Sequence, residues 1–165
     1  MDSIENTFSD NEGNHLMVAL DFCDDDYKQD SLNIPTEYSD VEIVDISIEK
    51  VYLEKPINPI VFFQMSSWLL EQFEIHDNAV FTFICSTDEL PTGTRNYKTP
   101  QIWRWTLFDR LFNRIKTKTD LNSMDVIVGP EEYLTYGRAF YRSKHAPIIH
   151  IISAHLKEKQ NQYHQ

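Results

Sequence analysis

The chain predicts an α+β fold, a mostly antiparallel sheet of about six strands packed with three helices in the order β-β-β-α-β-α-β-β-α. Three observations carry that expectation. Residues 41–52 alternate apolar and polar with the period of a strand, Val44, Ile46 and Ile48 pointing one way and Asp45, Ser47 and Glu49 the other. Residues 59–75 follow with apolar positions at helical spacing, and the run Ala79–Cys85 then reads as an interior strand. The length of 165 residues suits one domain, and 41% apolar with 13% aromatic residues is enough to build a core.

Each element has a local reason. The first residues, with Phe8 as their one strong apolar anchor, lead to Asp10-Asn11-Glu12-Gly13-Asn14, whose residues favour a turn. His15–Phe22 alternates with Leu16, Val18 and Leu20 on one side, so a short N-terminal hairpin is expected, with residues 1–12 frayed. The polar, acidic stretch 24–40 reads as an exposed loop. Asn58 before Pro59 supplies a helix cap and a first helical residue that loses nothing by lacking an N–H. In the helix from Pro59 to about Ile75, the stripe Gln64, Ser67, Glu71 and Glu74 is polar and nearly everything else apolar, Trp68 included, which predicts a central helix buried on most of its circumference.

Thr99-Pro100 opens a second helix running to about Lys116. Trp105, Phe108, Leu111, Phe112 and Ile115 fall on its packed face, Thr106, Asp109 and Asn113 on the opposite side, and Trp103, Arg110 and Arg114 along one flank. A short strand at Met124–Val128 ends at Gly129-Pro130, another covers Tyr133–Arg142, and Pro147 opens a last helix with Ile148, Ile151, Ile152 and Leu156 inward. Its polar tail, residues 157–165, is expected to fray.

Charge is unevenly spread. Residues 1–40 carry eleven acids against one base, Lys28, whereas residues 95–118 carry seven bases against one acid, Asp109, within a chain of net charge −11. Such a distribution suits either a solvated surface or electrostatically steered association with a partner. The basic flank formed by Trp103, Arg110 and Arg114, with Arg95 and Lys98 nearby, is the candidate binding surface, because arginine forks and an exposed indole compose binding hot spots. The competing reading pairs these arginines with the acidic N-terminal region of the same molecule. Overall acidity argues against a nucleic-acid ligand for this flank, which stays a second alternative.

Catalytic and cofactor signatures are missing from the sequence. It has no G-x-S-x-G, P-loop, G-x-G-x-x-G or HExxH motif, and His150 and His155 are spaced too far around a helix to share a metal. The acids Asp21, Asp24, Asp25 and Asp26 fail the calcium-loop pattern, which needs glycine at its sixth position and glutamate at its twelfth. Cys23 and Cys85 read as buried thiols of a reducing compartment, with Cys85, Asp88 and His76 kept as a remote catalytic grouping near a strand end. No catalytic residue, metal or cofactor is therefore assigned. MDSIENTF lacks the basic and apolar regions of a secretory signal, and no run is apolar enough to span a bilayer, so a cytoplasmic location is expected.

Two resemblances extend this reading. The order of three strands, helix, strand, helix and two strands resembles the core of the GNAT-type acetyltransferases. Those enzymes seat a pyrophosphate at the start of the first core helix with an Arg/Gln-x-x-Gly-x-Gly/Ala turn. Here that place reads EKPINPIVF, residues 54–62, without glycine, so the resemblance implies the strand order and not the cofactor site. FICSTDE followed by FDRLFNRI, through Phe83, Ile84, Cys85, Asp88, Phe108, Asp109, Arg110, Leu111 and Phe112, resembles a family of small Bacteroidota proteins of unknown function over about half the chain. That resemblance implies a bacterial source. Together these features favour a non-enzymatic protein-interaction module, accessory, immunity-like or antitoxin-like, with a divergent acyltransferase-like enzyme as the alternative.

Overall fold

The computed structural model describes residues 2–52, 59–84, 109–110, 112–114, 120–128 and 135–163. Its six strands are β1 (Ser3–Ser9), β2 (His15–Phe22), β3 (Glu42–Tyr52), β4 (Ala79–Ile84), β5 (Asn122–Val128) and β6 (Thr135–Tyr141). Two long helices, α1 (Pro59–Ile75) and α2 (Ala146–Tyr163), accompany them, and residues 109, 110 and 112–114 are also helical. The strands form one sheet in the order β1-β2-β3-β4-β6-β5. Every neighbouring pair is antiparallel except β3 and β4, which run parallel because α1 carries the chain back between them. The expected fold class and element order hold.

The hairpin of β1 and β2 closes through the expected turn. The Asp10 carboxylate accepts the backbone N–H groups of Glu12 (2.9 Å) and Asn14 (3.0 Å) and the Asn14 side-chain amide (2.9 Å). Gly13, at φ +83°, takes the left-handed position that this tight reversal requires. The first strand thus begins at Ser3, within the stretch expected to fray. At the other end α2 continues through Tyr163, past the start of the tail expected to loosen.

One face of the sheet packs on α1. Val61, Met65, Leu69 and Phe73, four residues apart, form a buried stripe over Leu16, Val18, Leu20, Val44, Ile46, Phe81, Phe83 and Phe140. Phe73 meets Phe81 edge-on at 4.4 Å. The apolar arc of α1 is narrower than its sequence suggests. Ile60 and Phe63 are each 53% exposed and Ile75 60%, while Trp68 is half-buried with its ring edge-to-face on Phe8 at 5.9 Å. A helix lying on one sheet buries one side, and its apolar residues beyond that side reach solvent.

The opposite face is covered as well, although the polar Asp45, Ser47 and Glu49 on that side read as solvent-facing in the sequence. Ile43, Val80 and Ala139 are buried there beneath Ile148, Ile149 and Ile152 of α2 and beneath Cys23, Ile34 and Val41. The stretch between β2 and β3 is exposed over most of its length, as expected, yet its buried residues pack on the sheet. It forms a π-helical turn at Tyr27–Ser31 and a 3₁₀ turn at Thr36–Tyr38, and it folds onto the sheet. Lys28 holds it there. This residue is 6% exposed, and its Nζ donates to the carbonyls of Ser39 (2.9 Å) and Val41 (3.3 Å) and lies 3.0 Å from Asp25. A buried ammonium is tolerated because all three contacts are acceptors or anions.

A second polar node joins α1, β4 and α2. Arg142 donates to the carbonyls of Phe73 and His76, satisfying groups left open at the end of α1. Next to it, His145 Nε2 lies 3.0 Å from Asn78 Oδ1, and the Asn78 amide donates to the Asp40 carbonyl at 3.1 Å. His145 is 2% exposed, and its Nδ1 has no hydrogen-bond partner among the described residues. Burial pushes its pKa below the ordinary value of 6.5, helped by Lys144 and Arg142 and opposed by Asp40 and Asp77. The neutral ring belongs to the folded state, so above pH 6.5 this residue does not oppose folding. As pH falls below that value, the unfolded chain takes up a proton that the folded chain resists, and stability is lost. The urea midpoint is expected to stay level near neutral pH and to drop as acid passes the unfolded histidine value. His145→Gln should flatten that drop, and an unchanged acid limb in the variant would assign it to other groups.

Candidate protein-interaction surface

The described part of the basic segment is anchored to the sheet by one buried arginine. Arg138 on β6 is 4% exposed and stands on the α1 face of the sheet, two residues from Phe140. Its register partner on β5 is Asp125. The guanidinium meets the Asp125 carboxylate in a fork, Nε to Oδ1 and Nη2 to Oδ2 at 3.2 Å, while Nη1 donates to Asp109 Oδ1 at 2.8 Å. Burial alone would lower the Arg138 pKa, but the hydrogen bonds and charges of Asp125 and Asp109 outweigh it and hold the guanidinium above its ordinary value. Two carboxylates and three donors form a planar match that lysine could not reproduce.

Asp109 therefore turns toward the sheet, not to the solvent side where helical spacing alone placed it. Phe112 turns the same way, as a residue three positions on must, and stacks on Phe140 with centroids 5.2 Å apart and 16° between the planes. With 109 and 112 directed inward, the 100° step of the helix sends 110 and 114 outward and sets 113 beside 109, where its amide lies 3.4 Å from the Asp109 carboxylate; 110, 113 and 114 are all exposed. The one acid of the basic segment is spent inward, which leaves Arg110 and Arg114 as the charged residues on the outer side among the described residues.

Arg110 and Arg114 thus share one exposed side, as expected. Arg114 reaches back across α1, its guanidinium carbon 3.8 Å from the centroid of the Phe63 ring. Phe63 and Ile60, one helical turn apart, are half-exposed apolar residues at that end of α1. Sequence reasoning placed Phe63 in the core, so this aromatic member of the surface was missed. Its signal would have been its place beside Gln64 and Ser67 and away from the 61, 65, 69, 73 stripe. Trp103, Arg95 and Lys98 lie outside the described residues.

The remaining candidates sort as follows. Cys23 is buried, its thiol directed at Asp45 Oδ2 at 3.7 Å, and its pKa is pushed up to about 12 by burial first and then by Asp45 and neighbouring acids. A thiol so protonated is a poor nucleophile. His76 sits 3.6 Å from Glu42 and against the Phe22 ring, while Cys85 and Asp88 of the same grouping fall outside the described residues. His150 is exposed. Among the described residues no group of three or more His, Cys, Asp or Glu side chains could hold a metal ion, and no helix is long and apolar enough to cross a membrane. No family model, curated protein or solved structure matches the chain.

Removing Arg138 would leave two carboxylates facing each other at the sheet. Loss of one member of a buried ion cluster costs up to about 5 kcal/mol. Here the carboxylates are 42% and 44% exposed and can rehydrate, which reduces the loss. Arg138→Gln is expected to lower unfolding free energy by about 2–3 kcal/mol in urea titration. A change below about 0.5 kcal/mol would mean that the cluster does not anchor this segment.

Proposed function

We propose that this protein is a non-enzymatic interaction module of a bacterial cytoplasm, accessory, immunity-like or antitoxin-like, that binds a protein partner through the surface of Arg110, Arg114, Phe63 and Ile60. The observation that carries the reading is the guanidinium of Arg114 over the half-exposed Phe63 ring, with Arg110 exposed on the same helical turn. An aromatic ring and an arginine held against each other before binding lose little freedom on association, which is the composition and the economy of a binding hot spot. The inward pairing of Asp109 leaves this surface positive in a protein that is otherwise acidic. An acidic partner would be drawn to it and repelled elsewhere. Trp103, Arg95 and Lys98 belong to the same proposed surface on the spacing and charge of the sequence.

The acyltransferase-like reading is favoured by one feature, the parallel β3–α1–β4 unit inside an otherwise antiparallel sheet. The segment that would seat a pyrophosphate has no glycine to bring backbone N–H groups close. A nucleic-acid ligand would have to overcome the net charge of −11.

Arg110→Glu with Arg114→Glu is expected to leave the thermal midpoint within about 2 °C, because exposed charges contribute little to stability. The same variant should lose co-purification of a stoichiometric acidic partner from the source cell, and added salt should reproduce the loss. Acetyl-CoA titration should show no saturable heat. Recovery of no partner by the unaltered protein, or saturable acetyl-CoA binding in the micromolar range, would overturn the proposal.

A further inference from the structure

The N-terminal hairpin offers a second surface, at the other end of the sheet from Arg138. β1 ends the sheet, so among the described strands its outer edge has no neighbour. The direction of its backbone groups follows from two hydrogen bonds. Asp10 N–H donates to the Asn14 carbonyl at 3.2 Å, and Phe22 N–H donates to the Asp2 carbonyl at 2.8 Å. Both pairs belong to the uninterrupted register that also matches Ile4 with Leu20, Asn6 with Val18 and Phe8 with Leu16. In an antiparallel ladder hydrogen-bonded pairs alternate with non-bonded ones, so the even residues of β1 bond inward to β2. The N–H and C=O groups of Ser3, Glu5, Thr7 and Ser9 therefore point outward.

Edge strands are ordinarily guarded by lysine, proline or a bulge. The sequence SIENTFS has no lysine or proline, and its pairing with β2 shows no register shift. The side chains at this edge sort into two faces. Ser3, Glu5, Thr7 and Ser9 are exposed on one, while Ile4 and Phe8 lie on the other with Trp68 of α1, which is half-buried beside Phe8. The surroundings are anionic: residues 1–40 hold eleven acids, and their one base, Lys28, is buried in its own loop and paired with Asp25.

We propose that the outer edge of β1 is a strand-docking site for an extended segment of a partner protein in which basic and apolar residues alternate. The incoming strand completes the ladder at Ser3, Glu5, Thr7 and Ser9. Its basic side chains lie on the Glu5 face and its apolar ones beside Ile4 and Trp68. A second copy of this chain fits poorly, since its own β1 would bring Glu5 and a net charge of −11 to an already acidic edge. The site is independent of the Arg110 and Arg114 surface, and either can stand without the other.

The test uses the full chain and a nine-residue peptide alternating lysine and valine, with a control in which glutamate replaces lysine. The lysine peptide is expected to bind saturably and to slow hydrogen exchange at the amides of Ser3, Glu5 and Thr7, while the glutamate peptide does neither. Thr7→Pro removes one outward N–H without touching an inward bond and should weaken binding at least tenfold. Glu5→Lys, a change at an exposed side chain, should weaken it as well and serves if the proline variant does not fold. Equal binding of both peptides, protection confined to other residues, or undiminished affinity in Thr7→Pro and Glu5→Lys would overturn the proposal. So would a self-associated protein whose Ser3, Glu5 and Thr7 amides are already protected, since the occupant would then be a second copy.

Discussion

The placement of charge on this molecule depends on the three-way pairing of Arg138 with Asp125 and Asp109. A guanidinium buried to 4% exposure needs anions around it, and the two nearest come from different parts of the chain. Asp125 is supplied by strand register and needs no further arrangement. Asp109 must be brought by the helical residues, and doing so fixes their rotation. Phe112 then stacks on Phe140, and Arg110 and Arg114 have nowhere to point but out. One internal ion cluster thus decides what the surface presents.

The same logic operates on the other face of the sheet. Lys28, the lone base among eleven acids, is withdrawn into the fold to hold the stretch between β2 and β3 against Ile43. Its withdrawal covers the second face of the sheet and leaves the outside of the N-terminal third anionic. Arg142, Asn78 and His145 do comparable work where α1 ends and α2 begins, joining the loop at Asp40, the turn at His76 and the start of α2. In each place a charged or polar side chain is used up inside the protein, and at Asp109 and Lys28 this leaves the opposite charge outside.

The strands were legible because their alternation is a property of neighbouring residues. Val44 and Ile46 against Asp45 needs no knowledge of a partner, nor does the turn at Asp10–Asn14. The extent of burial was not legible, since it depends on what covers each element. The apolar residues of α1 give the same wide arc whether the helix lies between two layers or on one, and only one side, the 61, 65, 69, 73 stripe with Trp68 and Leu70 at its margin, meets the sheet. Lys28, Arg138 and His145 were illegible for a related reason: apart from Asp25 beside Lys28, the oxygens they meet belong to other segments, invisible to local pattern. At the proposed surface, the outward course of Arg110 and Arg114 could be read from helical spacing, whereas Asp109 was assigned outward by the same spacing and is pulled in by Arg138. Phe63 was missed because an aromatic in an apolar helix looks like core.

A double-mutant cycle between Arg138 and Asp109 tests this account most directly. Stability would be measured by urea unfolding for the unaltered chain, Arg138→Gln, Asp109→Asn and the double variant. The account predicts a coupling of about 1.5–3 kcal/mol, since the two residues share one hydrogen-bonded ion cluster. Purely additive losses, with a coupling below about 0.3 kcal/mol, would contradict it: Asp109 would then not be held by Arg138, and the outward course of Arg110 and Arg114 would have lost its cause.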